Sequence, residues 1–261
     1  MAFTVHAVMP GVWHIVDCMG VCMTLLEGEN AAMLVDTGYG IEDVADFMRH
    51  MTDLPLTVFL THNHHDHAMG ARCFPETYML EADMADWRMF TNDEMRRRVL
   101  TQAIGKNLPV DEKTFLAGEI PLPKVLKPGV IDLGGLTAEI IEAPGHTPGS
   151  AVVYVPERKL LLSGDDWNPC TWLFFPQALG LREYRSNMRG IQQLPFEKVL
   201  CPHREALYDR WMFDGFFNAL TDGNLRAAEP VNIAPYEQID TCQATLPHDQ
   251  VLVFDWAKSG L

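Results

Sequence analysis

The stretch Thr61-His62-Asn63-His64-His65-Asp66-His67 decides the fold of this 261-residue chain, because it places four histidines and an aspartate within six positions directly after an apolar run. Burying several imidazoles and a carboxylate on one loop is costly unless a cation organises them. In an extended segment residues i and i+2 share a face, so His62 and His64 can converge on one ion. Asp66 and His67 begin the next turn and point towards a second ion. The stretch therefore predicts a two-metal site; the alternative interpretation is a hydrogen-bonded polar loop.

The donor atoms in this stretch are imidazole nitrogens and carboxylate oxygens, with no thiolate. That combination suits Zn²⁺, Fe²⁺ or Mn²⁺. His65 is the odd member and is expected to face away from the ions. We therefore expect two divalent metal ions, with Zn²⁺ the first choice and Fe²⁺ or Mn²⁺ as alternatives.

Three further donors stand where later strands are predicted to end. His146 lies in the turn Ala143-Pro144-Gly145-His146-Thr147-Pro148-Gly149-Ser150, Asp165 ends the run Leu161-Leu162-Ser163-Gly164-Asp165, and His203 follows Leu200-Cys201-Pro202. The carboxyl edge of a sheet is where α/β proteins build their sites. Taken singly, each residue also fits a structural turn or cap, so the three gain meaning only together.

The spacing of apolar residues predicts an α/β fold with a partly antiparallel sheet. We expect one domain over residues 1–261, with a helical lid inserted at about 82–128 and a C-terminal helix-plus-strand extension at 205–261. Strands are predicted at residues 12–16, 21–26, 31–36, 56–60, 138–142, 151–155, 159–162, 199–200 and 251–254, and helices at 41–51, 82–107 and 205–220.

Net charge, cysteine distribution and the lack of long apolar runs argue against several classes of protein for this sequence. The net charge of −15 repels phosphate backbones, so no nucleic-acid partner is expected, and Arg96-Arg97-Arg98 is interpreted as a solvated helix face. Six scattered cysteines indicate reduced thiols rather than a disulfide framework. The N-terminus has no signal-peptide pattern and no apolar run is long enough for a membrane span, so a cytoplasmic protein without a membrane partner is expected.

Taken in chain order, these segments resemble the metallo-β-lactamase superfamily over roughly residues 10–205. The motif His-x-His-x-Asp-His is present as residues 62–67, and Leu34-Val35-Asp36-Thr37-Gly38 resembles the early strand whose aspartate lies beneath the site. The resemblance implies a four-layer αββα sandwich. It also implies the following ligand sets: His62, His64 and His146 on the first ion, Asp66, His67 and His203 on the second, and Asp165 bridging both.

The resemblance further implies a hydrolase of the glyoxalase II and lactonase type, acting on an ester, thioester or lactone through a hydroxide that bridges the ions. Asp66 is the candidate that passes a proton to the leaving group. True β-lactamases of the superfamily generally lack a bridging aspartate such as Asp165, and flavodiiron enzymes carry a glutamate where this chain has His64. Two departures stand out: the last histidine usually lies between glycines, not in Pro202-His203-Arg204, and the basic glutathione-binding tail of glyoxalase II has no match here.

An aromatic stretch follows the bridging aspartate. If two of its members face the cavity, the small-molecule substrate has an apolar or acyl portion; the alternative is core packing. Some lactonases carry a tyrosine here that contacts the substrate carbonyl, and Tyr184 is the candidate. Met84, Trp87 and Phe90 are interpreted as packing residues of the lid or of an interface between two copies of the chain. A homodimer is therefore one of the expected assemblies. The stretch comprises Trp167, Trp172, Phe174, Phe175 and Tyr184.

Two other functions compete with hydrolysis of an acyl substrate. A mono-iron persulfide dioxygenase would use His62, His146 and Asp165 alone, and the filled position of His203 argues against it. A phosphodiesterase is disfavoured by the net charge. Metal analysis separates these functions, since two zinc-like ions support hydrolysis and one iron with oxygen consumption supports the dioxygenase.

Overall fold

Three β-sheets and eight α-helices organise residues 3–261, the part of the chain that the computed structural model describes. The strands are β1 Thr4–Met9, β2 Val12–Val16, β3 Cys22–Glu27, β4 Ala32–Val35, β5 Leu56–Phe59, β6 Tyr78–Met79, β7 Lys124–Val125, β8 Gly129–Asp132, β9 Thr137–Glu142, β10 Ala151–Val155, β11 Leu160–Leu162, β12 Cys170–Leu173, β13 Lys198–Leu200, β14 Tyr208–Asp209, β15 Glu229–Pro230, β16 Thr241–Leu246 and β17 Gln250–Asp255. The helices are α1 Val44–Met51, α2 His65–Ala68, α3 Trp87–Thr91, α4 Asp93–Gly105, α5 Glu112–Phe115, α6 Leu181–Gln192, α7 Arg210–Ala219 and α8 Asp222–Arg226.

Two large sheets face each other across the main core. The first has the order β1-β2-β3-β4-β5-β6-β7 and the second the order β14-β13-β11-β10-β9-β8. Apolar side chains such as Val35 and Phe59 of the first sheet pack against Val153 and Leu162 of the second. Because β4 and β5 run parallel, and so do β11 and β13, the loops that follow these strands leave at the carboxyl edge of each sheet. That edge is where the donor residues lie.

Helices cover the outer face of each sheet. α1 packs on the first sheet through Val44, Ala45 and Met48, while α6 and α7 pack on the second. A third sheet, of order β12-β17-β16-β15, joins α6 and α7 in that outer layer. The layers therefore run helix, sheet, sheet and helix, which confirms the α/β class. No helix in residues 3–261 is long and apolar enough to cross a membrane.

The predicted helix over 82–107 is interrupted. Asn92 has the extended backbone angles φ −74° and ψ 168°, and its side chain accepts a hydrogen bond from Met95 N, so it ends α3 and caps α4. The interpretation of Arg96-Arg97-Arg98 as a solvated face is wrong for Arg96, which is 1% exposed. Its guanidinium donates to the carbonyl groups of Phe115 and Gly118 and so fixes the chain that follows α5. That this segment moves as a lid stays a prediction.

The C-terminal part holds more structure than the one helix and one strand predicted there. α7 starts at Arg210 instead of residue 205, and β16 adds a partner for β17.

α6 was not predicted from the sequence, although Leu181, Tyr184, Met188 and Ile191 are buried at helical spacing. The helical period is present in the sequence, but none of the predicted helices includes it.

Candidate metal centre

All seven predicted donor side chains converge at the edge where the carboxyl ends of the two sheets meet. The donor atoms within each of three groups lie within 4.8 Å of one another. The groups are His62, His64 and His146; His62, His67 and Asp165; and Asp66, His67 and His203. The first and third groups are the two ligand sets that the resemblance implied.

Asp165 lies between these two sets. Its Oδ2 is 3.0 Å from Nε2 of His203 and 3.5 Å from Nε2 of His67, both in the second set. The same oxygen is 3.5 Å from Nε2 of His146, which belongs to the first set. One carboxylate therefore reaches both groups, as a bridging ligand would.

Asp36 orients one imidazole in each set. Nδ1 of His67 donates to Asp36 Oδ2 at 3.0 Å, which leaves Nε2 of His67 facing the site. The Thr61 hydroxyl donates to Asp36 Oδ2 at 2.9 Å, so its oxygen accepts from Nδ1 of His62 at 3.0 Å. A carboxylate or hydroxyl on the far nitrogen fixes the tautomer and orientation of a metal-binding histidine.

The other two imidazoles of the first set are held in the same manner. Nδ1 of His146 donates to the Trp172 carbonyl at 2.6 Å, and the Gln177 amide contacts Nε2 of His64 at 2.7 Å. As a result Nδ1 of His64 faces Nε2 of His146 at only 2.8 Å. Two nitrogen lone pairs this close repel unless a proton or a cation lies between them.

Unpartnered donor atoms supply a test of whether a metal fits. Nε2 of His62, Nε2 of His67 and Oδ1 of Asp165 are buried without a hydrogen-bond partner. A buried polar atom left unpaired is costly, and a cation would satisfy all three. The residues present therefore fit two divalent ions bound by nitrogen and oxygen donors.

The electrostatics agree with this fit. Burial and the neighbouring imidazoles hold the pKa of His62 and His64 well below the usual value, so both are neutral, as ligands must be. Burial would also lower the pKa of His67, but the carboxylates of Asp165 and Asp66 raise it well above the usual range. These carboxylates therefore favour positive charge beside His67, which a bound cation would supply.

Two predictions concern side chains outside the seven donors, namely His65 and Tyr184. His65 is absent from the three groups, but it lines the cavity beside them and its ring lies 5.6 Å from that of Tyr39. Tyr184 is fully buried and its hydroxyl donates to the Asp166 carbonyl at 2.5 Å. The cavity lining does not include Tyr184, because the helical period of α6 turns it into the core.

A cavity of about 530 Å³ opens directly over the donor groups. Trp172 and Phe175 line it, whereas Trp167 and Phe174 are fully buried away from it. Phe90, interpreted from the sequence as packing, also lines the cavity, and its ring lies 4.5 Å from that of His64. Three aromatic side chains thus form an apolar wall beside the donors.

Sequence reasoning missed two further aromatic residues of the cavity, Tyr39 and Tyr236. Tyr236 follows α8 and reaches back over the site, where its ring lies 5.4 Å from that of Phe175. Nothing in its local sequence marks it, because only the path of the chain after α8 brings it there.

Comparison with known proteins agrees with the geometry. The chain is 27% identical over 200 residues to the acyl-coenzyme A thioesterase MBLAC2 of Gallus gallus, covering 69% of this chain and 70% of that protein. It is 24% identical over 168 residues to the human protein of the same name, covering 56% and 60%. The metallo-beta-lactamase family protein TTHA1429 from Thermus thermophilus superposes with a TM-score of 0.60 at 19% identity, covering 85% of this chain and 82% of that one.

The family model described as the Metallo-beta-lactamase superfamily matches residues 16–203, a span that contains all seven donors. That match and the structural neighbour confirm the predicted αββα sandwich. This chain belongs to the metallo-β-lactamase superfamily.

Proposed function

We propose that this protein is a hydrolase with two divalent metal ions, most suitably Zn²⁺, that cleaves an acyl thioester. The observation that carries the proposal is the convergence of seven imidazole and carboxylate side chains at the floor of an apolar cavity. Family membership supports a hydrolase, and the relatives named as acyl-coenzyme A thioesterases favour a thioester over an ester or lactone.

His62, His64 and His146 would hold the first ion, Asp66, His67 and His203 the second, and Asp165 both. Two such ions, when bound, supply a water of lowered pKa and an electrophile for the substrate carbonyl. The chain's own part is to fix the donor atoms through Asp36, so that little rearrangement is needed during the reaction.

Asp66 is proposed to move the proton. Burial alone would raise the pKa of Asp66, but the imidazoles of His67, His65 and His203 lower it to about 2, so the carboxylate is ionised at neutral pH. Asp66 also lines the cavity, within reach of a bound substrate. Its ionised oxygen is thus placed to accept the proton that the attacking water gives up and to deliver that proton to the departing sulfur.

The apolar wall is proposed to bind the acyl group. Phe90, Trp172 and Phe175 line one cavity next to His64 and His146, so an acyl chain packed against the rings would bring its carbonyl to the donor groups. A cavity of about 530 Å³ is of the size that binds small molecules.

The test combines metal analysis with a substrate panel of thioesters, lactones and phosphodiesters. We expect about two zinc-like ions per chain and hydrolysis of acyl thioesters that is lost on chelation and restored by a defined metal. His146→Ala should lose both metal and activity, whereas His50→Ala, which removes an exposed histidine of α1, should lose neither. One iron per chain with oxygen consumption would instead support the dioxygenase.

The geometry already weighs against that single-iron alternative. It would need only His62, His146 and Asp165, but His64, His67 and other donors are directed to the same place. A site for one ion would leave Nε2 of His67 buried without a partner.

A further inference from the structure

Two arginines stand out in the lining of the cavity. Arg98 comes from α4 and Arg204 directly follows the donor His203. The chain as a whole carries a net charge of −15, and the cavity floor is made of carboxylates and imidazoles. Two arginines in the lining of that cavity offer positive charge to an anionic part of a ligand.

Arg98 is available to a ligand. Met95, Arg98, Val99 and Gln102 all line the cavity, as positions on one face of a helix would. Its guanidinium donates to Glu94 Oε1 at 2.6 Å, but the side chains are 58% and 75% exposed. An ion pair this exposed contributes only about 0–1 kcal/mol, so a phosphate can displace Glu94.

Arg204 is held in place by its backbone and not by a carboxylate. Its carbonyl oxygen accepts a hydrogen bond from Nε2 of the buried His14 at 3.1 Å. Its guanidinium donates to the His203 carbonyl at 2.7 Å, and the neighbouring Glu205 pairs with His6.

We propose that Arg98 and Arg204 form an anion subsite for the phosphate groups of the thiol portion of a coenzyme A thioester. The inference rests on the proposed thioesterase function, and it concerns coenzyme A, the thiol that leaves when the thioester is hydrolysed. The apolar wall takes the acyl chain, the donor groups take the carbonyl, and the two arginines of the lining take the phosphates. Arginine binds phosphate through two parallel hydrogen bonds, which also fixes its orientation.

The kinetic test compares two substrates that carry the same acyl group. One is the coenzyme A thioester and the other is the N-acetylcysteamine thioester, which has no phosphate. For Arg98→Gln and for Arg204→Gln we expect KM for the coenzyme A thioester to rise about tenfold with kcat unchanged, which is the loss of one charged hydrogen bond. KM for the N-acetylcysteamine thioester should not change in either variant.

The matched control is Arg97→Gln, which removes an exposed arginine of the same helix that does not line the cavity. It should leave KM for both thioesters unchanged. Equal KM changes for both thioesters in the Arg98 and Arg204 variants, or no change for either, would overturn the subsite.

A binding measurement separates the subsite from the proposed function. By calorimetry, coenzyme A should bind more tightly than pantetheine, which has the same thiol arm without the nucleotide phosphates, and Arg98→Gln and Arg204→Gln should abolish the difference. If no thioester is hydrolysed and this pattern is still seen, the function fails and the subsite stands. If thioesters are hydrolysed but the two ligands bind equally, the subsite fails alone. Absence of both hydrolysis and binding overturns both.

Discussion

The carboxylate of Asp83 joins the two loops that supply the first ligand set. Its Oδ2 accepts from Asn63 N at 3.1 Å and from the Thr147 hydroxyl at 2.8 Å, and its Oδ1 accepts from Gly149 N at 2.6 Å. Asn63 lies between His62 and His64, and Thr147 follows His146. A single side chain that is 1% exposed therefore sets the distance between the two loops.

We expect Asp83→Asn to weaken metal binding by about 10- to 100-fold, the usual effect of losing a group that orients ligands. The amide turns an NH₂ group towards donors that need an acceptor, so one loop shifts. Metal retained against a competing chelator measures the effect, and circular dichroism verifies the fold. Glu81→Gln, an exposed change two residues away, is the control. Equal retention in the wild type and in Asp83→Asn would show that Asp83 does not position the loops.

Asp66→Asn should lower kcat about 100-fold or more while part of the metal is retained, because a positioned proton donor contributes 10²–10⁴ in rate. The loss should shrink for thioesters whose leaving thiol has a low pKa, since such thiolates depart without a proton. Asp53→Asn, an exposed change, is the control. Near-normal turnover with full metal content would rule out the proton-transfer role of Asp66.

At the scale of elements, the sequence predicted the features that depend on residues close together in the chain, such as strands and short motifs. The donors of residues 62–67 could be proposed from the sequence because their strand and motif are contiguous. His146, Asp165 and His203 each follow a strand, but only the resemblance to the superfamily assigned them to the site. Tyr184 was misplaced because closeness to Asp165 in sequence says nothing about which face of α6 it occupies. Tyr236 could not be predicted, because only long-range folding brings it to the cavity.

α4 and the loop after α5 form one structural unit through Arg96. Its guanidinium donates to carbonyl groups of Phe115, Ala117 and Gly118 and to Asp93 Oδ1. Because α4 also supplies Val99 and Gln102 to the cavity, this unit shapes the cavity over the donor groups.

Arg96→Lys should loosen this unit, since one ammonium group cannot reach all of these acceptors. We expect the free energy of local opening to fall by about 1–3 kcal/mol across residues 107–120. Hydrogen exchange resolved by peptide measures it, and Arg97→Lys on the exposed face of the same helix is the control. Unchanged protection of residues 107–120 would mean that Arg96 does not hold the loop.

At the scale of the whole molecule, His14 links the two large sheets. It lies on β2 of the first sheet, contacts the Thr24 hydroxyl at 3.1 Å and donates to the Arg204 carbonyl, which follows β13 of the second sheet. Burial lowers the pKa of His14, so the folded protein keeps it neutral where the unfolded chain would protonate it.

This pKa shift predicts a pH dependence of stability. An unfolded histidine has a pKa of about 6.5, so above this pH His14 is neutral in both states and its hydrogen bonds stabilise the fold fully. As the pH falls below 6.5, the unfolded chain gains a proton that the folded protein does not, and this stabilisation is lost. His14→Gln should therefore lower the free energy of unfolding by about 1–3 kcal/mol at pH 7.5 and by less at pH 5.5. Urea unfolding at both pH values measures the difference in the free energy of unfolding between the wild type and His14→Gln. His50→Gln, at an exposed position, is the control for the loss of one histidine. A difference that stays constant or grows at pH 5.5 would contradict the prediction.

The division of the ligands between the sheets has a mechanical consequence. His62 and His64 follow the first sheet but their partner His146 follows β9 of the second, and Asp66 and His67 likewise need His203 after β13. Neither half of the sandwich can complete a coordination sphere alone, so each ion would act as a crosslink. At a free metal concentration 1,000 times Kd, one ion adds about 4 kcal/mol against unfolding. Separating the two sheets would therefore release bound metal, so metal release would report directly on the opening of the sandwich.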